Sequence, residues 1–246
     1  MIVYALADLH LSRTVNKPMD CFGAKWAKHD AKIDRSLRAR LQADDLLLIP
    51  GDISWAMRSA EAVEDLRFID AWPGRKVLMR GNHDYWWGSG QKVRRLCAEH
   101  GLGSIDVLHH DALLYETNSL SLVICGTRLW LAKVEQKTAN DREIYQSEIR
   151  RLERSLIAAQ QFEKQAQAQG KTVKKIVMLH YPPIHPQEMR NEVTGLLEAY
   201  NCPLVLYGHL HGLGHRQIIE GYHHGIEYSC VASDYLNFEA KQILEL

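Results

Sequence analysis

Five short clusters along the chain combine acids, an amide and imidazoles: Asp8-Leu9-His10, Gly51-Asp52, Gly81-Asn82-His83-Asp84, His180, and Gly208-His209-Leu210-His211. Mixed donors of this kind suit borderline first-row divalent ions such as Mn, Fe, Co or Zn better than Ca or a thiolate-seeking metal. The chemistry they point to is phosphoester hydrolysis. A phosphoester resists attack because its oxygens repel an incoming anion and its alkoxide leaves poorly. Two divalent ions about 3.5–4 Å apart answer both problems, neutralising the phosphoryl oxygens and holding a hydroxide generated at neutral pH.

Such a pair needs a bridging carboxylate, and Asp52, a short acid on the turn after an apolar run, is the candidate. Asp8, His10 and one distal histidine would complete the first metal. Asn82, His180 and the other distal histidine would complete the second. The amide oxygen of Asn82 is a neutral ligand that limits negative charge near an anionic substrate. His209 and His211 are separated by one residue and so share a side of an extended segment. His83 reads as a non-ligand, protonated imidazole that stabilises the transition state and donates a proton to the leaving oxygen. In this reading Asp84 raises the pKa of His83 and fixes its orientation.

The elements that must position these groups are apolar runs that most of the clusters directly follow: Ile2 to Ala7, Leu46 to Ile49, Val77 to Met79, Ile176 to Leu179 and Leu204 to Tyr207. Short aliphatic runs bounded by Gly, Pro or charge read as buried strands. In open α/β sheets ligands bind beyond the carboxyl ends of strands, which is where the clusters fall. Helices are expected at 25–41, 59–71, 91–99 and about 141–169, with further strands at 113–115, 120–125, 227–231 and 243–246. The alternation predicts an α/β fold in a single domain spanning 1–246, with antiparallel pieces near the C-terminus and a helical insertion at about 131–170. In that insertion Asn140 is the expected N-cap with Glu143 three residues on, and Tyr145, Ile149, Leu152, Leu156 and Ala159 recur at helical spacing. The helix could lie on its own domain, form a homodimer contact or act as a lid.

Composition narrows the classes. Lys plus Arg and Asp plus Glu are 30 each, so no global basic field recruits nucleic acid or anionic lipid. Five scattered cysteines without a Cys-x-x-Cys pair exclude a disulfide framework and a zinc-thiolate site. No apolar stretch reaches bilayer length and no leader precedes the first strand, so a cytoplasmic protein is expected.

On these motifs the chain resembles the calcineurin-like metallophosphoesterase superfamily, whose pattern is D-x-H, G-D, G-N-H-[DE], H and G-H-x-H. The resemblance implies a four-layer α/β/β/α sandwich with mixed sheets and a dinuclear site on loops. It implies that Asp8, His10, Asp52 and His211 hold the first metal, that Asp52, Asn82, His180 and His209 hold the second, and that His83 is catalytic. The strings around Gly51-Asp52 and Gly81-Asn82 are similar to a bacterial subgroup of predicted phosphohydrolases. Departures from the protein phosphatases (Gly51-Asp52-Ile53-Ser54-Trp55 in place of GDxVDRG) and from the UDP-sugar-lipid pyrophosphatases (GNHD in place of GNRD) leave a small-molecule or nucleotide-like mono- or diester as the expected substrate. A short-substrate nuclease and a non-catalytic metal-binding scaffold are the alternatives.

Substrate contacts are expected from Tyr85 and Trp86, which follow the catalytic histidine and could stack a base, from Arg128, whose planar fork suits phosphate, and from His185. His109, His110, His215, His223 and His224 have no spacing partner and read as surface or supporting residues.

Overall fold

Each expected apolar run is a strand in the computed structural model, which describes residues 1–246, and each is buried along most or all of its length. In chain order the elements are β1 (Ile2–Ala5), α1 (His29–Arg40), β2 (Leu46–Pro50), α2 (Ser59–Asp70), β3 (Arg75–Met79), α3 (Gly90–Glu99), β4 (Ile105–Leu108), β5 (Ala112–Glu116), β6 (Leu120–Thr127), α4 (Ala139–Ala168), β7 (Thr172–Leu179), α5 (Glu192–Ala199), β8 (Leu204–Tyr207), β9 (Gly221–His223), β10 (Ile226–Cys230) and β11 (Lys241–Glu245). The chain divides into two compact units, Met1–Val107 with Val231–Leu246, and Leu108–Cys230. The class is α/β, with two mixed sheets and helices.

The first unit holds a five-stranded sheet in the order β11-β1-β2-β3-β4. Strands β1, β2 and β3 are parallel and β11 runs antiparallel at the edge. Its core joins Leu47, Ile49 and Leu78 of the sheet to Ile33, Leu37, Leu66 and Ile69 of the helices, with Trp72 and Trp87 filling the remaining space. Helix α1 starts later than the sequence suggests. Residues Ala24–Trp26 form a 3-10 turn and Lys28 adopts φ 53°, so the regular helix begins at His29. Trp26 is thereby buried against the ring of His10, which decides the local geometry over helical propensity.

The second unit holds a six-stranded sheet in the order β5-β6-β7-β8-β10-β9. Strands β6, β7, β8 and β10 are parallel, with β5 and β9 antiparallel at the two edges. The long helix α4 lies against β5, β6 and β7 and buries Tyr145, Leu152, Leu156 and Ala159 there, so its apolar face rests on its own unit. Its cap is Thr138, not Asn140. The Thr138 hydroxyl accepts from the Asp141 N–H at 3.0 Å while the Asp141 carboxylate accepts from the Thr138 N–H at 3.0 Å, a reciprocal pairing that fixes the start two residues earlier. Helix α5 and strands β4 and β9 are further elements that the apolar pattern did not indicate.

Candidate metal centre

In the first unit the ligand candidates leave the carboxyl ends of β1, β2 and β3. The chain beyond β1 keeps pairing with the chain beyond β2: the Asp8 N–H donates to Gly51 C=O, His10 N–H to Asp52 C=O and Leu11 N–H to Ile53 C=O, each at 2.9 Å. This ladder brings Asp8, His10 and Asp52 together. A carboxylate oxygen of Asp8 lies within 4.8 Å of a ring nitrogen of His10 and of an oxygen of Asp52. The His10 Nε2 is 3.6 Å from Asp52 Oδ2, with both side chains buried. Asp8, His10 and Asp52 take φ of 60°, 44° and 52°, left-handed backbone that few non-glycine residues adopt, Asp and His more readily than most.

The turn after β3 is locked onto this group. The His83 N–H donates to Asp52 Oδ1 at 2.8 Å. Gly81 passes so close to Asp52 that an added Cβ would fall 2.1 Å from Oδ1. Asn82 sits between them, half-buried.

Asp84 plays a part different from the one expected. Its Oδ1 accepts from the Ile53 N–H (2.9 Å), the Ser54 N–H (3.0 Å) and the Trp86 indole (3.1 Å), and its Oδ2 accepts from the Gly81 N–H (2.8 Å). All four bonds go elsewhere than to His83. Asp84 therefore clamps the turns after β2 and β3 to each other instead of partnering the imidazole. Burial pushes its carboxyl pKa up, against the downward pull of these donors.

Trp55 organises the imidazoles and was not singled out by the sequence. It stacks on His10 at 5.0 Å and 20°, and its ring lies 4.5 Å from that of His83. The signal was available as an aromatic three residues beyond the Gly51-Asp52 turn. His29 is a second such residue: its Nε2 lies 3.0 Å from the Leu9 carbonyl and 3.3 Å from that of His10, which fixes the Asp8-Leu9-His10 turn from below. Trp86 was expected at the substrate, but at 3% exposure it belongs to the core and spends its N–H on Asp84. Tyr85 is 51% exposed with its ring 6.1 Å from that of His83.

In the second unit the candidates again leave the ends of parallel strands. The Tyr181 N–H donates to Arg128 C=O at 2.9 Å and the Gly208 N–H to His180 C=O at 3.1 Å, so the segments after β6, β7 and β8 stay paired past the sheet. His180 is buried, with its ring 5.2 Å from that of His209, and Tyr181 lies 4.0 Å from His209. His209 has φ 71°. His211 precedes a 3-10 turn at Gly212–Gln217 and its carbonyl accepts from the Gly214 N–H at 2.8 Å. His185, with Pro182, Ile184 and His209, lines a cavity of about 30 Å³.

The family model for calcineurin-like phosphoesterases matches residues 1–213. The chain belongs to this family. As a member it is a metal-dependent phosphoesterase, a hydrolase. The donor sets fit divalent ions: buried carboxylates beside an imidazole in one unit, and a close imidazole pair in the other. No curated protein matches the sequence. Solved structures that share the fold include a protein of unknown function, AQ665, from Aquifex aeolicus (15% identity, 97% of this chain and 94% of that one, TM-score 0.50), and the phosphopantetheinyl hydrolase PptH from Mycobacterium tuberculosis (14% identity, 99% and 95%, TM-score 0.52). No helix is long and apolar enough to cross a membrane.

Proposed function

We propose that the protein hydrolyses small-molecule or nucleotide-like phosphate esters with two divalent ions, one held by Asp8, His10, Asp52 and His211 and the other by Asp52, Asn82, His180 and His209. The family pattern supports this assignment. When bound, the ions supply Lewis acidity, drawing charge from the phosphoryl oxygens and lowering the pKa of water.

The chain's own residues do the rest. Asp52, oriented by the His83 N–H, faces His10, and its backbone shape is kept by the Asp84 clamp. His83 shares a Trp55 wall with His10, so an imidazole that is not itself a ligand stands beside the ligand set. That juxtaposition carries the reading: it is where a proton for the leaving oxygen is needed. A cavity of about 570 Å³ is lined by Ser12, Arg13, Trp26, Lys28 and Asp30, among others; none of the candidate ligands lines it, and Trp26, whose ring lies 5.8 Å from that of His10, links the two. Its volume lies within the roughly 300–1,000 Å³ of small-ligand pockets. Tyr85 and His185 remain the proposed contacts with the ester's organic part.

The test is turnover of p-nitrophenyl phosphate and bis-p-nitrophenyl phosphate with Mn, Co, Ni or Zn added. His83→Ala should lower kcat by about 10²–10⁴-fold while the protein keeps both ions by elemental analysis. Absence of turnover with every metal on both esters overturns the reading. Loss of an ion in His83→Ala would make His83 a ligand.

A further inference from the structure

The second unit contains a cation that the ligand set does not absorb. Arg128 follows β6 directly, and its carbonyl accepts the Tyr181 N–H, so it sits one strand over from His180. Its guanidinium lies 4.7 Å over the Trp130 ring, Trp130 is 5.3 Å from Tyr181, and Tyr181 is 4.0 Å from His209. A continuous run of rings thus joins Arg128 to a ligand histidine. The side chain is 15% exposed, and a guanidinium carries five N–H donors. It makes a single, long hydrogen bond, 3.4 Å to Glu148 Oε1.

Glu148 explains why Arg128 is fixed yet under-used. It is buried at 2% exposure on α4, and Arg151 holds the same Oε1 at 2.6 Å while the Thr127 hydroxyl donates to Oε2 at 2.6 Å. One carboxylate therefore faces two guanidiniums, which leaves an excess positive charge at the strand end. His110 reports the same field. Its Nδ1 is 3.2 Å from Thr127 Oγ1, and burial first, then His109, Arg151, Arg154 and Arg128, push its pKa down.

We propose that Arg128, stacked on Trp130 and tethered by Glu148, binds the unesterified phosphate oxygens of the substrate and biases the enzyme towards phosphomonoesters over diesters. The inference rests on the phosphoesterase reading and deepens it. A monoester carries close to two negative charges at neutral pH and a diester one, so an additional fixed guanidinium favours the monoester. Glu148 is a positioning residue here: it orients the fork and touches no substrate.

The experiment measures inorganic phosphate binding by calorimetry to the metal-loaded protein, together with kcat/KM for p-nitrophenyl phosphate and its bis ester. Arg128→Ala should weaken phosphate binding roughly ten- to hundredfold and lower the monoester-to-diester ratio by about tenfold, with metal content unchanged. Arg128→Lys, which preserves the charge and the stem, should lie between, because the planar fork is lost. Glu148→Gln should weaken phosphate a few-fold while Arg150→Ala, an exposed guanidinium on the same helix, should change nothing. Wild-type phosphate affinity and ester ratio in both Arg128 variants overturn the proposal, as does an equal loss in Arg150→Ala, which would indicate a diffuse field. If the wild type turns over neither ester with any metal, the phosphoesterase reading fails. The calorimetry then still decides on Arg128: weaker phosphate in Arg128→Ala supports the anion site and unchanged affinity overturns it.

Discussion

The two units carry their candidate ligands on the same kind of scaffold and brace them by different means. Both place ligands just past the carboxyl ends of parallel strands and keep the emerging segments paired by backbone bonds. In the first unit the brace is electrostatic: Asp84 gathers three backbone N–H groups and an indole from two turns, and Asp52 takes the His83 N–H. In the second it is aromatic, with His209, Tyr181 and Trp130 in one run of rings. Burying Asp8, Asp52 and Asp84 in one unit costs free energy unless donors or cations offset it, whereas an imidazole can be buried uncharged at a smaller cost. The strand end sets where a ligand lies. The brace sets how strongly its unit depends on an ion.

The largest test of this contrast compares Asp52→Asn with His209→Asn. In the proposed arrangement one acid would serve both ions, so Asp52→Asn should retain fewer than about one ion per chain and lose more than about a hundredfold in kcat/KM. His209→Asn should keep about one ion, in the acid-bearing half. Elemental analysis and metal-titrated kinetics give both quantities. Equal loss of metal from the two variants would abolish the proposed asymmetry.

A smaller effect separates the two braces themselves. Gly81 and Gly126 are each crossed by a neighbour: an added Cβ would meet Asp52 Oδ1 at 2.1 Å in the first case and Met178 C=O at 1.8 Å in the second. Both alanine variants should lose about 1–3 kcal/mol of folding stability from overpacking. Only Gly81→Ala pushes on a candidate ligand side chain, so it alone should weaken metal binding, by about 10–100-fold. Chelator competition distinguishes them. A similar metal loss in Gly126→Ala would mean that the strand pairing of β6 with β7 matters as much as the acid clamp.

The strand-end placement of the candidate ligands was legible because each is a chemically distinctive residue at the end of an aliphatic run, and both strand and turn are local features. The braces were not. Asp84 stands beside His83 in sequence, which suggested a partnership, but its bonds run to Ile53 and Ser54, thirty residues away, and only the pairing of two turns reveals them. Tyr85, Trp86 and Trp87 are equally aromatic in sequence, yet the turn exposes the first and buries the other two. Residues 25–28 have a helical composition, but burial of Trp26 against His10 overrides it. Thr138 and Asn140 are both good caps, and the reciprocal Asp141 carboxylate decides between them.

The smallest effect concerns the histidines that support each half. Burial lowers the pKa of His110 from an ordinary 6.5 to about 3, helped by His109 and three arginines, and burial also lowers that of His29, there opposed by Asp30. A histidine with a depressed folded pKa is neutral in both states above 6.5. Below that pH the unfolded chain takes up the proton first, so the stability held at neutral pH is lost as pH falls from about 6.5 towards the folded value. For the partly exposed His110 the loss should be less than about 1 kcal/mol per pH unit. His110→Gln, which keeps a donor for Thr127 and cannot charge, should flatten the stability profile in urea melts between pH 6.5 and 4.5. His29→Gln should flatten it less, because Asp30 already offsets part of the cost in the acid-rich unit. Equal flattening by the two would show that burial alone, and not the difference in surrounding charge, governs both.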